Sequence, residues 1–195
     1  MPFTTGLLLF DDVEELDFAG PWEVFTTAKK EGDHVVTIAA TTEPIRAYNG
    51  LRVLPDHDFA DAPALDVLLV PGGLGTRALA DDATHIDWIK STAAGCAWVT
   101  SVCTGAILLH AAGLLAGRQV TTHWGYIPTL KEEPDVTVLE DVRYVRDGNV
   151  VTAAGVSAGI DMSLWLVGQM YDIKHARDVQ HVIEYNPEPP YADAT

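Results

Sequence analysis

The stretch Trp98-Val-Thr-Ser-Val-Cys103-Thr-Gly-Ala-Ile-Leu-Leu-His110 constrains the fold of this chain more than any other. An apolar strand runs straight into a cysteine, and Thr104, Gly105 and Ala106 are small enough to let the chain turn sharply into an apolar helix. Such a strand-to-helix turn belongs to α/β architecture, where it lifts a side chain to the carboxyl edge of a sheet. Cys103 therefore stands where a nucleophile stands. The amides and dipole of the following helix are expected to favour its thiolate, with titration below the free-thiol value of about 8.5. A buried cysteine that only packs is the competing reading.

The rest of the chain repeats the pattern. Gly6–Phe10, His34–Ala40 and Asp66–Pro71 read as strands, and Asp17–Lys30 and Asp82–Ala94 as helices, with Pro21 suited to the first turn of the first helix. Ile45–Pro55, centred on Asn49-Gly50, reads as a hairpin, and Arg143–Val145 pairs with Val150–Thr152 across Asp147-Gly148-Asn149. Gln119–Thr122 and Thr137–Leu139 read as short strands, and Ala158–Tyr171 and Ala176–Tyr185 as the last two helices. No internal repeat or linker interrupts the 195 residues, so one domain over 1–195 is expected.

Composition narrows the class. Hydrophobic content of 48% with 21% charged residues describes a soluble globular protein, and no apolar run approaches the roughly 20 residues of a membrane helix. Residues 1–10 lack a secretory signal, which makes the cytoplasm the expected compartment. Cys96 and Cys103 flank one strand and are poorly placed to bond to each other. A net charge of −16, with twelve Lys and Arg scattered along the chain, argues against nucleic acid as a partner.

Five further positions can carry chemistry beside Cys103. Gly72 and Gly73 follow a buried strand and can present amides as an anion or oxyanion pocket, or serve only as turn residues. Asp17 should emerge at the same sheet edge, where a carboxyl in an apolar pocket stays protonated and acts as general acid or base; a helix N-cap is its alternative role. His123 is a candidate Cys–His partner, or a packed structural histidine beside Trp124. Ser157 fits a helix cap or a close-packing position better than a nucleophile. The remaining histidines show no metal-ligand spacing, so neither a metal nor a cofactor is expected.

Together, Leu16-Asp-Phe-Ala-Gly-Pro21, Val70-Pro-Gly-Gly73, Thr100-Ser-Val-Cys-Thr-Gly105, Ala112-Gly-Leu-Leu115, Thr121-Thr-His-Trp124, Gly159-Ile-Asp161 and Glu184-Tyr185 with Pro189-Pro190 resemble the ThiJ/PfpI superfamily. The match is best to its isocyanide hydratase-like branch, related to class I glutamine amidotransferase domains. The resemblance implies a flavodoxin-like three-layer α/β sandwich with a mostly parallel central sheet and a cysteine nucleophile elbow. It implies Cys103 as nucleophile, Asp17 as its carboxylate partner and Thr104 as a neighbouring hydroxyl and amide, acting on a small molecule through a thioimidate-like intermediate. The aromatic surroundings expected from Trp22, Trp124 and Tyr126 suit an apolar substrate. A homodimer is implied too, with the Asp17 helix and Glu184–Tyr191 as contacts. Glyoxalase or deglycase chemistry on dicarbonyls, and a thiol redox or ligand sensor related to amidotransferase-like transcription regulators, are the alternatives. Thr104 stands where the peptidase and glyoxalase-like branches carry histidine.

Overall fold

A computed structural model describes residues 2–188. Strand β1 (Thr4–Leu8) leads to α1 (Glu15–Ala28) and β2 (His34–Ala39), followed by the small strands β3 (Ile45–Arg46), β4 (Arg52–Val53) and β5 (His57–Asp58). β6 (Val67–Val70) precedes α2 (Thr76–Leu79) and α3 (Ala83–Ala93), and β7 (Trp98–Val102) turns into α4 (Gly105–Ala111). Then come β8 (Gln119–Val120), α5 (Ile127–Leu130), β9 (Thr137–Val138), β10 (Tyr144–Asp147), β11 (Val150–Ala153), α6 (Ala158–Met170) and α7 (Ile173–Val182).

Seven strands form the central sheet in the order β10-β11-β7-β6-β1-β2-β5, parallel throughout except for the antiparallel β10–β11 edge pair. Strands covered on both faces read as unbroken apolar runs, and Val67-Leu-Leu-Val70 is fully buried along its whole length. α1, α6 and α7 pack together, as do α2, α3 and α4, giving the flavodoxin-like three-layer sandwich. Because β1 leads outward to β2 while β6 lies on its other side, the strand order reverses between them, and a crevice opens at the carboxyl ends of the strands. The connections after β1, β6, β7 and β11 all emerge at that edge.

Several boundaries differ from the sequence expectation. α1 begins at Glu15, with the extended Glu14 at its N-cap, so Pro21 lies inside the helix rather than in its first turn. Asp17 is accordingly a first-turn residue and not a cap. The 45–55 hairpin is present, with Ile45 opposite Val53, and its tip is tied to α1 where Asn49 donates to Glu15 from its backbone N–H at 2.7 Å and from Nδ2 at 2.9 Å. β8 and β9 stay outside the main sheet and pair in parallel with each other. Ser157 occupies the N-cap position of α6 without capping it; its hydroxyl instead accepts from Arg143 Nη2 at 3.1 Å. Pro189 and Pro190, and Tyr191 of the expected 184–191 contact segment, lie outside the described residues.

Candidate active site

Cys103 adopts φ +56°, a left-handed conformation that costs a non-glycine residue energy and is held only where the surroundings fix it. Both sides of its backbone are fixed. Its N–H donates to the Ala154 carbonyl at 2.6 Å, and its carbonyl accepts from Thr122 Oγ1 at 2.7 Å. The chain passes the end of β6 so closely that two glycines are required there. A Cβ on Gly72 would lie 2.5 Å from the Thr104 nitrogen and 2.8 Å from Cys103 Cβ, and one on Gly105 would lie 2.1 Å from the Val70 carbonyl oxygen.

That proximity brings Asp17 to the sulfur. The carboxyl is 0% exposed, and its Oδ2 accepts from the Gly72 N–H at 2.8 Å. It also interacts with the Cys103 thiol and the Val156 amide, although Oδ1 has no partner at full hydrogen-bond geometry among the described residues. Burial, with help from the Glu14 charge, raises the Asp17 pKa to about 7, against the pull of the Gly72, Cys103 and Val156 hydrogen bonds.

The thiol differs from expectation. Cys103 is 7% exposed, and burial together with the Asp17 charge pushes it up to about 12. The Thr104 N–H and hydroxyl pull the other way without prevailing. The helix that was to favour the thiolate has seven residues, and the amides at its start do not compensate for a closed site that already holds a carboxyl. At neutral pH the sulfur therefore carries its proton, while Asp17, near the midpoint of its titration, can accept one.

The two glycine amides are occupied from within the protein. Gly72 serves Asp17, and Gly73 donates to Thr104 Oγ1 at 3.0 Å, so neither points into an open anion pocket. Thr104 is buried in a hydroxyl cluster in which Thr76 Oγ1 lies 3.2 Å away and donates to the Gly73 carbonyl at 2.8 Å. Arg77 closes the cluster from outside, Nη1 donating to the Gly73 carbonyl at 2.7 Å and lying 3.4 Å from Thr104 Oγ1.

His123 is not brought to the sulfur. Among the described residues it makes no hydrogen bond to Cys103; its Nδ1 accepts from the Gly125 N–H at 3.2 Å. Burial and the Arg77 charge lower its pKa, which keeps the ring neutral. The ring lies against Gly155, where a Cβ would come within 2.5 Å of Cδ2. Trp124 leans on His123 and is 77% exposed. Both line a cavity of about 390 Å³ with Thr122, Arg143, Gly155 and Val156. The cavity adjoins the elbow through Thr122, which binds the Cys103 carbonyl, and Val156, whose amide faces Asp17. Trp22 and Tyr126 do not line it, so Trp124 is the one member of the expected aromatic set that does.

Arg77, Thr76 and Val156 were not singled out in the sequence. Arg77 had a signal, a cation directly after a glycine-rich turn; Val156 had none, because its φ of +46° is invisible in a valine. His110, Glu133 and Asp135 bring ligand atoms within 4.8 Å of one another at the last turn of α4, a grouping that their sequence spacing does not suggest. His110 Nε2 lies 3.0 Å from Asp135 Oδ1 there.

Known proteins similar to this chain identify its family. The DJ-1/PfpI family matches residues 5–169. The chain is 42% identical over 194 residues to an isonitrile (isocyanide) hydratase of Pseudomonas putida, covering 98% of this chain and 82% of that protein. A helix-turn-helix transcriptional regulator of Pseudomonas aeruginosa is 27% identical over 186 residues, 93% of this chain but 49% of the regulator. The crystal structure of a ThiJ/PfpI family protein from Pseudomonas syringae superposes with a TM-score of 0.92 at 32% identity, over 100% of this chain and 80% of that one. No helix among the described residues is long and apolar enough to cross a membrane. With the cysteine on its elbow, the buried carboxyl beside it and a family match over most of its length, the chain belongs to the DJ-1/PfpI family.

Proposed function

We propose that this protein hydrates an isocyanide, R–N≡C, to the N-substituted formamide. The observation that carries the reading is the contact between a protonated thiol on a strained elbow and a buried carboxyl whose pKa lies near 7. An isocyanide needs both partners, because its terminal carbon must accept a nucleophile and a proton. The Asp17 carboxylate takes the Cys103 proton as sulfur bonds to that carbon, then returns it to the same carbon, leaving S–CH=N–R. Water adds to this thioimidate carbon, with Asp17 receiving one of its protons and nitrogen gaining one. The carbon–sulfur bond breaks as the carbonyl forms, sulfur recovers a proton, and H–CO–NH–R departs. The Thr104 N–H and hydroxyl steady the sulfur while it is charged. The 42% identity to a hydratase over nearly the whole chain supports this reading over dicarbonyl chemistry.

A thiol sensor is the less favoured alternative, since oxidation follows thiolate character and this thiol is pushed up to about 12. The hydratase reading carries a reducing compartment, the cytoplasm, supported by two free cysteines. It also carries a homodimer, supported by the exposed Leu16, Tyr48, Leu51 and Leu74 around the hairpin and the start of α1. The test is formamide production from cyclohexyl isocyanide, followed by ultraviolet absorbance with Cys103→Ala as control. Turnover that disappears in the variant is expected; none by the native protein, or equal rates in both, overturns the assignment.

A further inference from the structure

The guanidinium of Arg77 is half used. Nη1 is anchored by the Gly73 carbonyl at 2.7 Å, with Thr76 Oγ1 at 3.3 Å and Thr104 Oγ1 at 3.4 Å, which fixes the group over the hydroxyl next to the nucleophile. Nε and Nη2 have no hydrogen-bond partner, and no carboxylate lies within ion-pair distance of Arg77 among the described residues. This holds in a chain with a net charge of −16. Arg143, which lines the cavity beside the elbow, is by contrast bound to Asp161 and Ser157.

The reach of the Arg77 charge indicates which part of a bound molecule it would meet. Glu14 and the catalytic partners themselves supply the charges that act on Asp17 and Cys103. Arg77 acts instead on His123, whose pKa it lowers together with burial, and on Tyr126, where it opposes the burial and Glu133 charge that raise the pKa. Exposed, and anchored on the Gly73 carbonyl 3.4 Å from Thr104 Oγ1, Arg77 stands at the rim of the site rather than in the reacting pair. An arginine edge with adjacent N–H donors matches a carboxylate bidentately, and an anchored guanidinium loses less side-chain freedom on binding than a mobile one.

We propose that Arg77 is a specificity-determining residue whose unused edge binds a carboxylate carried by the isocyanide on the carbon next to nitrogen, making an α-isocyano carboxylate the preferred substrate class. This rests on the hydratase reading. With the isocyanide carbon held at Cys103, the substituent on nitrogen must point outward, and a carboxylate one carbon further on comes to the rim where Arg77 stands. A neutral ester of the same shape lacks the charge that this edge binds.

The experiment compares isocyanoacetate with its methyl ester in the native protein, Arg77→Gln and Arg77→Lys. A charge-assisted hydrogen bond contributes enough for a preference of about tenfold or more in kcat/KM. The native protein is expected to favour the acid by that factor, Arg77→Gln to lose the preference, and Arg77→Lys to keep part of it. A native ratio of one or less, or an unchanged ratio in Arg77→Gln, overturns the proposal; a variant that merely damaged the fold would slow both substrates alike. If neither isocyanide is hydrated, the hydratase reading fails by itself, and Arg77 is judged by protection of Cys103 from iodoacetamide, read by intact mass. N-formylglycinate should then protect at roughly tenfold lower concentration than its methyl ester, and only while Arg77 is present. Equal protection, or none, contradicts the assignment.

Discussion

The two cysteines lie beyond opposite ends of β7 in nearly the same degree of burial, Cys96 8% exposed and Cys103 7%, and burial pushes both thiols up, to about 11 and about 12. Neither burial nor pKa separates them. Cys96 donates its thiol proton to the Thr92 carbonyl at 3.3 Å, an acceptor that cannot take it. Cys103 stands on a strained turn against a carboxyl that titrates near 7 and can. On the proposed mechanism, the difference is that a buried cysteine acts as a nucleophile through a neighbour able to remove its proton at the moment of attack, without a thiolate having to persist in the resting site.

The strongest way to break the contrast is to remove each sulfur in turn. Cys103→Ala should reduce isocyanide turnover to background, because the proposed covalent intermediate forms on its sulfur. Its circular dichroism spectrum should stay native, and measurable turnover by that variant would dissolve the distinction between the two thiols. Asp17→Asn should follow, lowering kcat by about 10² to 10⁴ through loss of the transferable proton, while His123→Gln changes it little.

The same Asp17→Asn variant sharpens the comparison through stability. The folded pKa of Asp17 is raised to about 7 from an ordinary 3.8, so folding favours the protonated carboxyl. Its contribution is complete below the ordinary value and is lost as pH rises through the folded one, by up to about 4 kcal/mol at 1.36 kcal/mol per pKa unit. Thermal melts should therefore show Asp17→Asn more stable than the native protein near pH 8, with the advantage shrinking toward pH 4. An Asp17→Asn protein less stable at both pH values would mean that the carboxyl is not the strained partner described here.

Gly72→Ala ranks next. Its Cβ would fall 2.5 Å from the backbone nitrogen of Thr104, which cannot swing aside as a side chain would. Overpacking of this kind costs about 1 to 3 kcal/mol in urea unfolding, and displacing the elbow should also lower turnover. Cys96→Ala should have the smallest effect, a modest loss of stability with kinetics unchanged.

Much of this was legible in the sequence. Alternating apolar runs and helical patterns specify a parallel sheet, and Thr104-Gly105-Ala106 after Cys103 specify the elbow, because both depend on neighbouring residues. The Asp17–Gly72 hydrogen bond spans 55 positions, so the sequence could place the two only at a common sheet edge. It could not reveal that the carboxyl would take the amide otherwise free to bind an anion. The Cys103 shift runs opposite to the sequence expectation for a related reason: helix amides are local and readable, whereas burial and the Asp17 charge arise only when four strand ends converge. His123 illustrates the same limit, since its proximity in sequence to the strand after α4 did not bring it to the sulfur. Pro21 was displaced from the first turn because α1 starts at Glu15, with Glu14 already at the N-cap.

The pH dependence of iodoacetamide alkylation at Cys103, followed by intact mass, tests without reference to any substrate whether Asp17 removes the Cys103 proton. In the native protein the rate should rise with pH through about 7, the pKa of the buried carboxyl, and in Asp17→Asn that rise should vanish, leaving only the increase at strongly alkaline pH. Identical profiles in the two proteins, or a rate already at its plateau well below pH 6, would contradict the account.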